Sequence, residues 1–235
     1  MFKGSRQLTT KPSSVLVLVN AFGFGSESAH VLHRDDTGVL EKPIPGSAPL
    51  EPRNRIFHIT HKTIHDYLMG TNLVTLASKF VGYLETELGA LDIGDEWTEV
   101  PDFYAIIQKA IFTASTTAIC GPHIFALNPN FNDEFWAFDD GCIQTLFKGI
   151  PRWLAPKSYR IRDKCKASIR KWQKYAFEHF DWDDEELANQ EWDEYYGGKL
   201  MRERSRRQRL MDGMNDDAMA GNDLGMIWGY VVKAC

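Results

Sequence analysis

The sequence is poor in the features that announce most chemistries. Its 235 residues hold four cysteines, Cys120, Cys142, Cys165 and Cys235. They lie far apart, with no C-x-x-C pair and no Cys/His cluster, which speaks against a structural zinc site. No long hydrophobic run is present. ValLeuValLeuVal at 15–19 is too short to span a bilayer, follows Lys11-Pro12 and lacks the small-residue cleavage pattern of a secretory signal. Positive charge is not in excess: the formal net charge is −5, so the composition gives no reason to expect nucleic acid. There is no G-x-S-x-G elbow and no H-E-x-x-H, and Gly23 and Gly25 lack the third glycine and the basic residue of a phosphate loop. Internal repeats are absent and alternating strand patterns are few. No complete active site can be assembled from the residues alone.

What is present is helical periodicity. The stretch at 101–122, PDFYAIIQKAIFTASTTAICGP, places Phe103, Ile106, Ile107, Ala110, Ile111, Ala114 and Ala118 in steps of three and four, a core helix. Pro101 and Asp102 suit its first turn, and Gly121-Pro122 stops it. Its small tail, AlaSerThrThrAla, leaves room for another backbone. Residues 55–69 read as a helix with Ile56, Ile59, Thr63 and Tyr67 on one face and Arg55, His58, His61, Lys62 and His65 as a basic set. That set suits a solvated face, an anion-binding face or, less readily, a metal site. Residues 72–89 form an amphipathic helix with Asn72 able to cap its start. Residues 133–148 form another, weakened at Gly141, beside aromatics that suit either a pocket wall or ordinary core. A long basic helix is expected at 157–180, as a solvated or membrane-surface element. The acidic run 181–196 and the basic run 199–209 are of opposite sign and can screen each other. Residues 1–14 read as loose or edge structure, 35–38 as a capped turn, 41–54 as an irregular loop, and 124–131 as a loop. The run at 15–19 reads as a buried strand or short core helix. Seven helical segments make the fold mostly α.

Several stretches follow one another in a telling order: GSRQLTT (4–10), NAFG (20–23), DDTG (35–38), PIPGS (43–47), RIFHITHKTIHDYLMG (55–70), FTASTTAICGP (112–122), FWAFDDG (135–141), LFKGIPRWLAP (146–156) and RIRDKCKASIRKW (160–172). Together they resemble the amino-terminal half of fungal cytochrome P450 enzymes of the type related to sterol 7α-hydroxylase and prostacyclin synthase. The resemblance covers the chain to about Gly229.

The resemblance implies an incomplete P450 fold, helices B to H and the start of I, without the carboxy-terminal haem-thiolate half. Residues 1–54 would be substrate-channel loops, 55–229 helices C to the start of I, and 230–235 a divergent tail. Within that scheme 55–69 is helix C, 72–89 D, 102–120 E, 133–148 F, 158–180 G, 200–214 H, and 222–229 the opening of I. The parent family are haem-thiolate monooxygenases acting on apolar small molecules, with NADPH-cytochrome P450 reductase as electron donor. The resemblance places a haem propionate against Arg55, His61 and Lys62, with Phe57 and His61 standing where the family usually has W-x-x-x-R. It places substrate against Phe138, Phe147 and Ile150. The family's F-x-x-G-x-x-x-C haem loop and the E-x-x-R pair of its helix K belong to the half this resemblance does not reach, so haem is not expected to be held stably by these residues. Apolar helix faces that pack against later helices in the family are expected to lose cover here. At roughly 1.5–3 kcal/mol per uncovered side chain, that threatens a native stability of about 5–15 kcal/mol and favours self-association. No anchor is expected from this sequence, which places the chain in the cytoplasm or loosely at the endoplasmic reticulum surface. The alternative to a monooxygenase part is a non-catalytic helical binding protein.

Overall fold

A computed structural model of the chain describes residues 11–91, 93, 97, 99–100 and 102–231. Pro101, Cys235, the GSRQLTT stretch and residues 232–235 of the expected tail lie outside the described residues. The described residues form twelve α-helices and one two-residue β-hairpin: α1 (Lys11–Asn20), α2 (Ser26–Arg34), α3 (Ile56–Tyr67), α4 (Thr71–Gly89), α5 (Phe103–Cys120), α6 (His123–Leu127), α7 (Phe131–Gly141), α8 (Ile143–Phe147), α9 (Pro156–His179), α10 (Glu185–Asn189), β1 (Trp192–Asp193), β2 (Gly197–Gly198), α11 (Lys199–Arg209) and α12 (Asp216–Val231). The mostly α class is met.

Helix α5 is set as its ends dictate. Asp102 caps it, its Oδ1 accepting from the Ala105 amide at 2.9 Å, and Gly121 ends it at φ 79°, a left-handed value that favours glycine. The expected stripe is buried at Ala110, Ala114 and Ala118 and open at its amino-terminal end. Phe112, Thr116 and Cys120 are fully buried, whereas Phe103 is 65% exposed. Only the carboxy-terminal half of α5 is enclosed, because the β-hairpin and the helices after it pack there. The approach is close: a Cβ on Gly121 would sit 2.4 Å from the Glu194 carbonyl oxygen.

The main core joins α5, α7, α9, α11 and α12 around Phe112, Phe131, Phe135, Phe138, Ile169 and Trp172. The Phe112 and Phe135 rings stack with centroids 4.3 Å apart. A second core lies between α1, α2, α3 and the α11–α12 junction, built from Val15, Leu32, Ile56, Met211 and Met219.

Several expectations are corrected. Residues 11–14 are not loose but open α1, which also settles 15–19 as helix. Of residues 124–131, expected as loop, 124–127 belong to α6 (His123–Leu127) and Phe131 opens α7. The helix at 133–148 is two helices that break at Cys142, next to Gly141. Asn72 does not cap α4; Gly70 does, and Asn72 Nδ2 donates to the Asp66 carbonyl oxygen instead. Helix α11 ends at Arg209 and α12 begins at Asp216, earlier than the 222 expected, with Asn215 Oδ1 accepting from the Ala218 amide.

The charge runs are also more than solvated faces. On α9, Arg162 and Lys166 lie on the buried side, where Arg162 Nη1 donates to the Asn20 carbonyl (3.0 Å) and Lys166 Nζ to the Gly23 carbonyl and Asp217 (both 2.6 Å). Asp193 of the acidic run and Arg202 of the basic run form an ion pair whose side chains are each 2% exposed.

Candidate functional site

The region that collects unusual geometry is where the 20–24 segment crosses α12. Gly221 and Gly225 make the crossing possible. A Cβ on Gly221 would sit 2.4 Å from the Phe22 carbonyl oxygen, and one on Gly225 would sit 3.1 Å from the Phe22 ring. Phe22 is thereby pressed flat on the helix. Three aromatics surround it, with ring centroids at 6.0 Å for Trp228, 6.3 Å for Phe138 and 6.5 Å for Phe147. Trp228 Nε1 donates to Asp139 Oδ1 at 2.6 Å. Burial pushes the Asp139 carboxyl above the ordinary carboxylate range, and the Trp228 hydrogen bond works against that shift.

In front of Phe22 lies a cavity of about 360 Å³. Its walls are Leu18 and Phe22, Thr60 and Ile64 of α3, Arg204 of α11, and Asn222, Gly225, Met226, Gly229 and Tyr230 of α12. Most of this lining is apolar, with a polar corner at Arg204, Asn222 and Tyr230. Arg204 is held there by Asp223, through Nε (3.1 Å) and Nη2 (2.9 Å). Asp223 in turn accepts from Gln173 Nε2 at 2.6 Å and from Gln208 Nε2 at 3.3 Å. The corner is thus a rigid, hydrogen-bonded wall. A pocket of this make-up suits an apolar molecule with a single polar handle.

The residues expected at a haem propionate are not brought together. Arg55 is buried and donates to Thr37 Oγ1 (2.9 Å), the Leu40 carbonyl (2.6 Å) and the Glu41 carbonyl (2.7 Å). Beside it, the fully buried Asp35 accepts from the Thr37 and Phe57 amides, so the 35–38 turn also caps α3. Lys62 is exposed and pairs with Asp66 at 2.8 Å. At about 100° per residue, Lys62 faces well away from the Thr60–Ile64 side that lines the cavity. His61 is exposed and flanks that side. Of the expected substrate residues, Phe138 and Phe147 meet around Phe22 as the back of the wall. Ile150 is half-buried, its carbonyl accepting from the Tyr159 hydroxyl at 2.9 Å. Of the residues facing the cavity itself, Phe22 falls within the expected channel loops, whereas Arg204, Asn222 and Tyr230 escaped the sequence reading.

A second hollow, also about 360 Å³, runs between α4 and α5 and ends at Tyr230. It is lined by Leu68, Leu73, Leu76, Ala77, Phe80, Ser115, Ala118 and Ile119, an almost wholly apolar set.

The described cysteines are placed for packing. Cys120, Cys142 and Cys165 are buried free thiols. Burial drives the Cys120 and Cys165 thiols well above the ordinary thiol range, and neighbouring acidic groups, Asp223 and Glu134 respectively, push the same way. Neither lines a cavity described above, and both are held as thiols, not thiolates. Among the described residues no group of three or more His, Cys, Asp or Glu side chains is placed to hold a metal ion. Among them α5 alone is long and apolar enough to cross a membrane by length and composition; its enclosed half belongs to the core.

No family model matches the chain, and no solved structure matches it. Among curated proteins it is similar to the cytochrome P450 monooxygenase fsoE of Humicola fuscoatra, at 32% identity over 227 residues, 95% of this chain and 36% of that protein. It is similar to the cytochrome P450 monooxygenase efuG of Hormonema carpetanum at 30% over 226 residues, 95% of this chain and 37% of that protein. The cytochrome P450 monooxygenase calL of Penicillium decumbens matches at 28% over 188 residues, 80% of this chain and 34% of that protein. The chain spans little more than a third of the length of the curated relatives it matches.

Proposed function

We infer the role of this chain from the family to which it belongs, the cytochrome P450 enzymes: it supplies the substrate-side wall of a monooxygenase and does not carry out the oxidation unaided. The observation that carries this reading is the Phe22 cavity, apolar with one hydrogen-bonded polar corner, within a chain similar to P450 monooxygenases over 95% of its length. In that role Phe22 and Met226 would seat an apolar substrate body, and Arg204, Asn222 or Tyr230 would orient an oxygen on it. Phe138, Phe147 and Ile150 would set the cavity's depth from behind. The closer kinship with the sterol 7α-hydroxylase and prostacyclin synthase type belongs to this proposal, as do a reductase partner and a place in the cytoplasm or at the endoplasmic reticulum surface.

The described residues do not fit the family's haem iron. The family holds iron through a cysteine thiolate, and Cys120, Cys142 and Cys165 are buried free cysteines, none of which lines the Phe22 cavity. Arg55 has its donors in the 37–41 loop and Lys62 pairs with Asp66, which leaves the exposed His61 as the group of the three open to a propionate. No step of an oxidation is therefore assigned to these residues. The second reading is a helical protein that binds an apolar molecule without turning it over, and the same apolar cavity supports it.

Two measurements test this. Haem added to the chain, reduced and exposed to carbon monoxide, is expected to give no thiolate-type absorption band; such a band overturns the assignment. An apolar ligand is expected to quench the Trp228 fluorescence, and Phe22→Ala is expected to weaken that binding about tenfold. Unchanged binding in that variant removes the cavity from the proposal.

A further inference from the structure

We propose that a second site, separate from the Phe22 cavity, binds a protonated tetrahedral oxyanion: inorganic phosphate or a phosphate monoester. The site is a cavity of about 270 Å³ at the surface between α9, the end of α11 and the start of α12. Arg170, Lys174 and Arg209 line it, with Gln173, Glu178 and Asp216. The proposal stands on three observations and does not depend on the family reading.

The cations are incompletely paired. Arg209 meets Asp216 at 3.7 Å, Lys174 meets Glu178 at 3.8 Å, and Arg170 meets Asp217 at 3.5 Å. All three exceed the 2.7–2.9 Å typical of a charge-assisted hydrogen bond. The carboxylate nearest Arg170 is already engaged, because Asp217 accepts from the buried Lys166 at 2.6 Å. Three cations against the two carboxylates in the lining leave a net positive charge.

Two buried polar atoms of the lining, Arg209 Nε and Gln173 Oε1, have no hydrogen-bond partner among the described residues. Gln173 is 3% exposed, and its amide nitrogen is fixed on Asp223, so the oxygen cannot exchange places with it. One orphan is a donor and the other an acceptor. A ligand that satisfies both offers an acceptor oxygen to Arg209 and an O–H to Gln173, and the net positive charge of the lining favours an anion. Hydrogen phosphate and a singly protonated phosphate ester carry both groups, and sulfate at neutral pH carries only the first.

The cation is also preset. The Arg209 guanidinium carbon lies 3.9 Å above the Phe177 ring centroid, which holds its plane in place before any ligand arrives.

Calorimetric titration of the full 235-residue chain tests the site, with inorganic phosphate, a simple phosphate monoester and sulfate as separate probes. Phosphate is expected to bind, and sulfate at least fivefold more weakly. The monoester arm distinguishes the sources: tighter binding than phosphate assigns an esterified ligand, equal or weaker binding free phosphate. Arg209→Met and, independently, the exposed-residue variant Arg170→Met are each expected to lower phosphate affinity about tenfold. Lys157→Met, outside the cavity on the first turn of α9, is expected to change nothing. Absence of phosphate binding, or affinities unaltered in both arginine variants, overturns the site. Equal binding of sulfate overturns the protonated ligand and the role of Gln173.

Discussion

The block formed by α7, α9, α11 and α12 and the pair formed by α4 and α5 were built from similar material and met different fates. In the block, Phe131, Phe135, Phe138, Ile169 and Trp172 are at most 1% exposed. Charges that enter it are paired, as in Arg202 with Asp193 and Arg204 with Asp223. On the pair, Leu73 is 50% exposed, Val74 69%, Val81 50%, Phe103 65% and Tyr104 65%. An apolar stripe states only that a helix needs a partner. Whether it contributes stability depends on whether the partner is there.

The largest effect expected follows directly. Phe135→Ala empties a site stacked on Phe112 and edged by Trp136, and is expected to cost about 3–5 kcal/mol. Val74→Ala is expected to stay within about 0.5 kcal/mol of the parent. Denaturant unfolding of both variants checks the contrast, and similar values would erase it. Next comes Asp193→Ala. Its carboxylate pairs with Arg202 and accepts from the Tyr195 and Tyr196 amides. Removal strands a buried guanidinium, for about 3 kcal/mol, the low end for a broken buried pair, because Arg202 keeps the Ala188 and Gln190 carbonyls as acceptors. A loss under about 1 kcal/mol, the range of a solvated pair, would mean that the hairpin opens to water and is not part of the block.

These two regions also mark what the sequence disclosed. Helix positions were legible because their signals are local: Asp102 as a cap, Gly121 as a stop, and the three-and-four spacing of α3, α4, α5 and α9. Which end is buried was not legible on α5. The stripe from Phe103 to Ala118 is as regular at its exposed end as at its enclosed one, and only the later hairpin and helices decide between them. Arg162 and Lys166 looked like surface charge. Their burial depends on carbonyls of Asn20 and Gly23, more than 140 residues away in the chain. The cavity was missed for the same reason: Phe22, Arg204 and Tyr230 meet only once α12 lies across the 20–24 segment.

A pH measurement sharpens the contrast from the block's side. Burial pushes the Tyr196 hydroxyl up to about 12, whereas an unfolded tyrosine titrates near 10. The folded chain therefore holds the proton through a window in which the unfolded chain has lost it. Stability is unaffected by this group below about pH 9 and falls as pH rises from about 10 to 12, by roughly 2–3 kcal/mol. Tyr196→Phe is expected to flatten the part of the alkaline loss that belongs to this residue. An unchanged alkaline slope in the variant would place Tyr196 in contact with water.

The smallest effect on stability carries the most information about the pair. Val74 and Val81 are seven residues apart and share one exposed side of α4, in a stretch from 71 to 84 whose one charge is Lys79, itself seated over the Trp192 ring at 4.1 Å. An apolar strip without charge next to an apolar hollow favours a second copy of the chain over water. Self-association through this face is thus the outcome proposed for the parent chain at high concentration. Val74→Lys with Val81→Lys leaves the packed residues untouched, and the ammonium introduced by the second substitution can pair with Glu85, one helical turn further on. The double variant is expected to change unfolding stability by less than about 0.5 kcal/mol. It is also expected to remove concentration-dependent growth of the scattering mass. A stability loss above about 1 kcal/mol, beyond what a solvated surface position costs, would show that this side of α4 is covered within one chain, and the difference between the two regions would disappear. Unaltered association with unaltered stability would move the contact to Phe103 and Tyr104 at the open end of α5, where the same substitution logic can be applied.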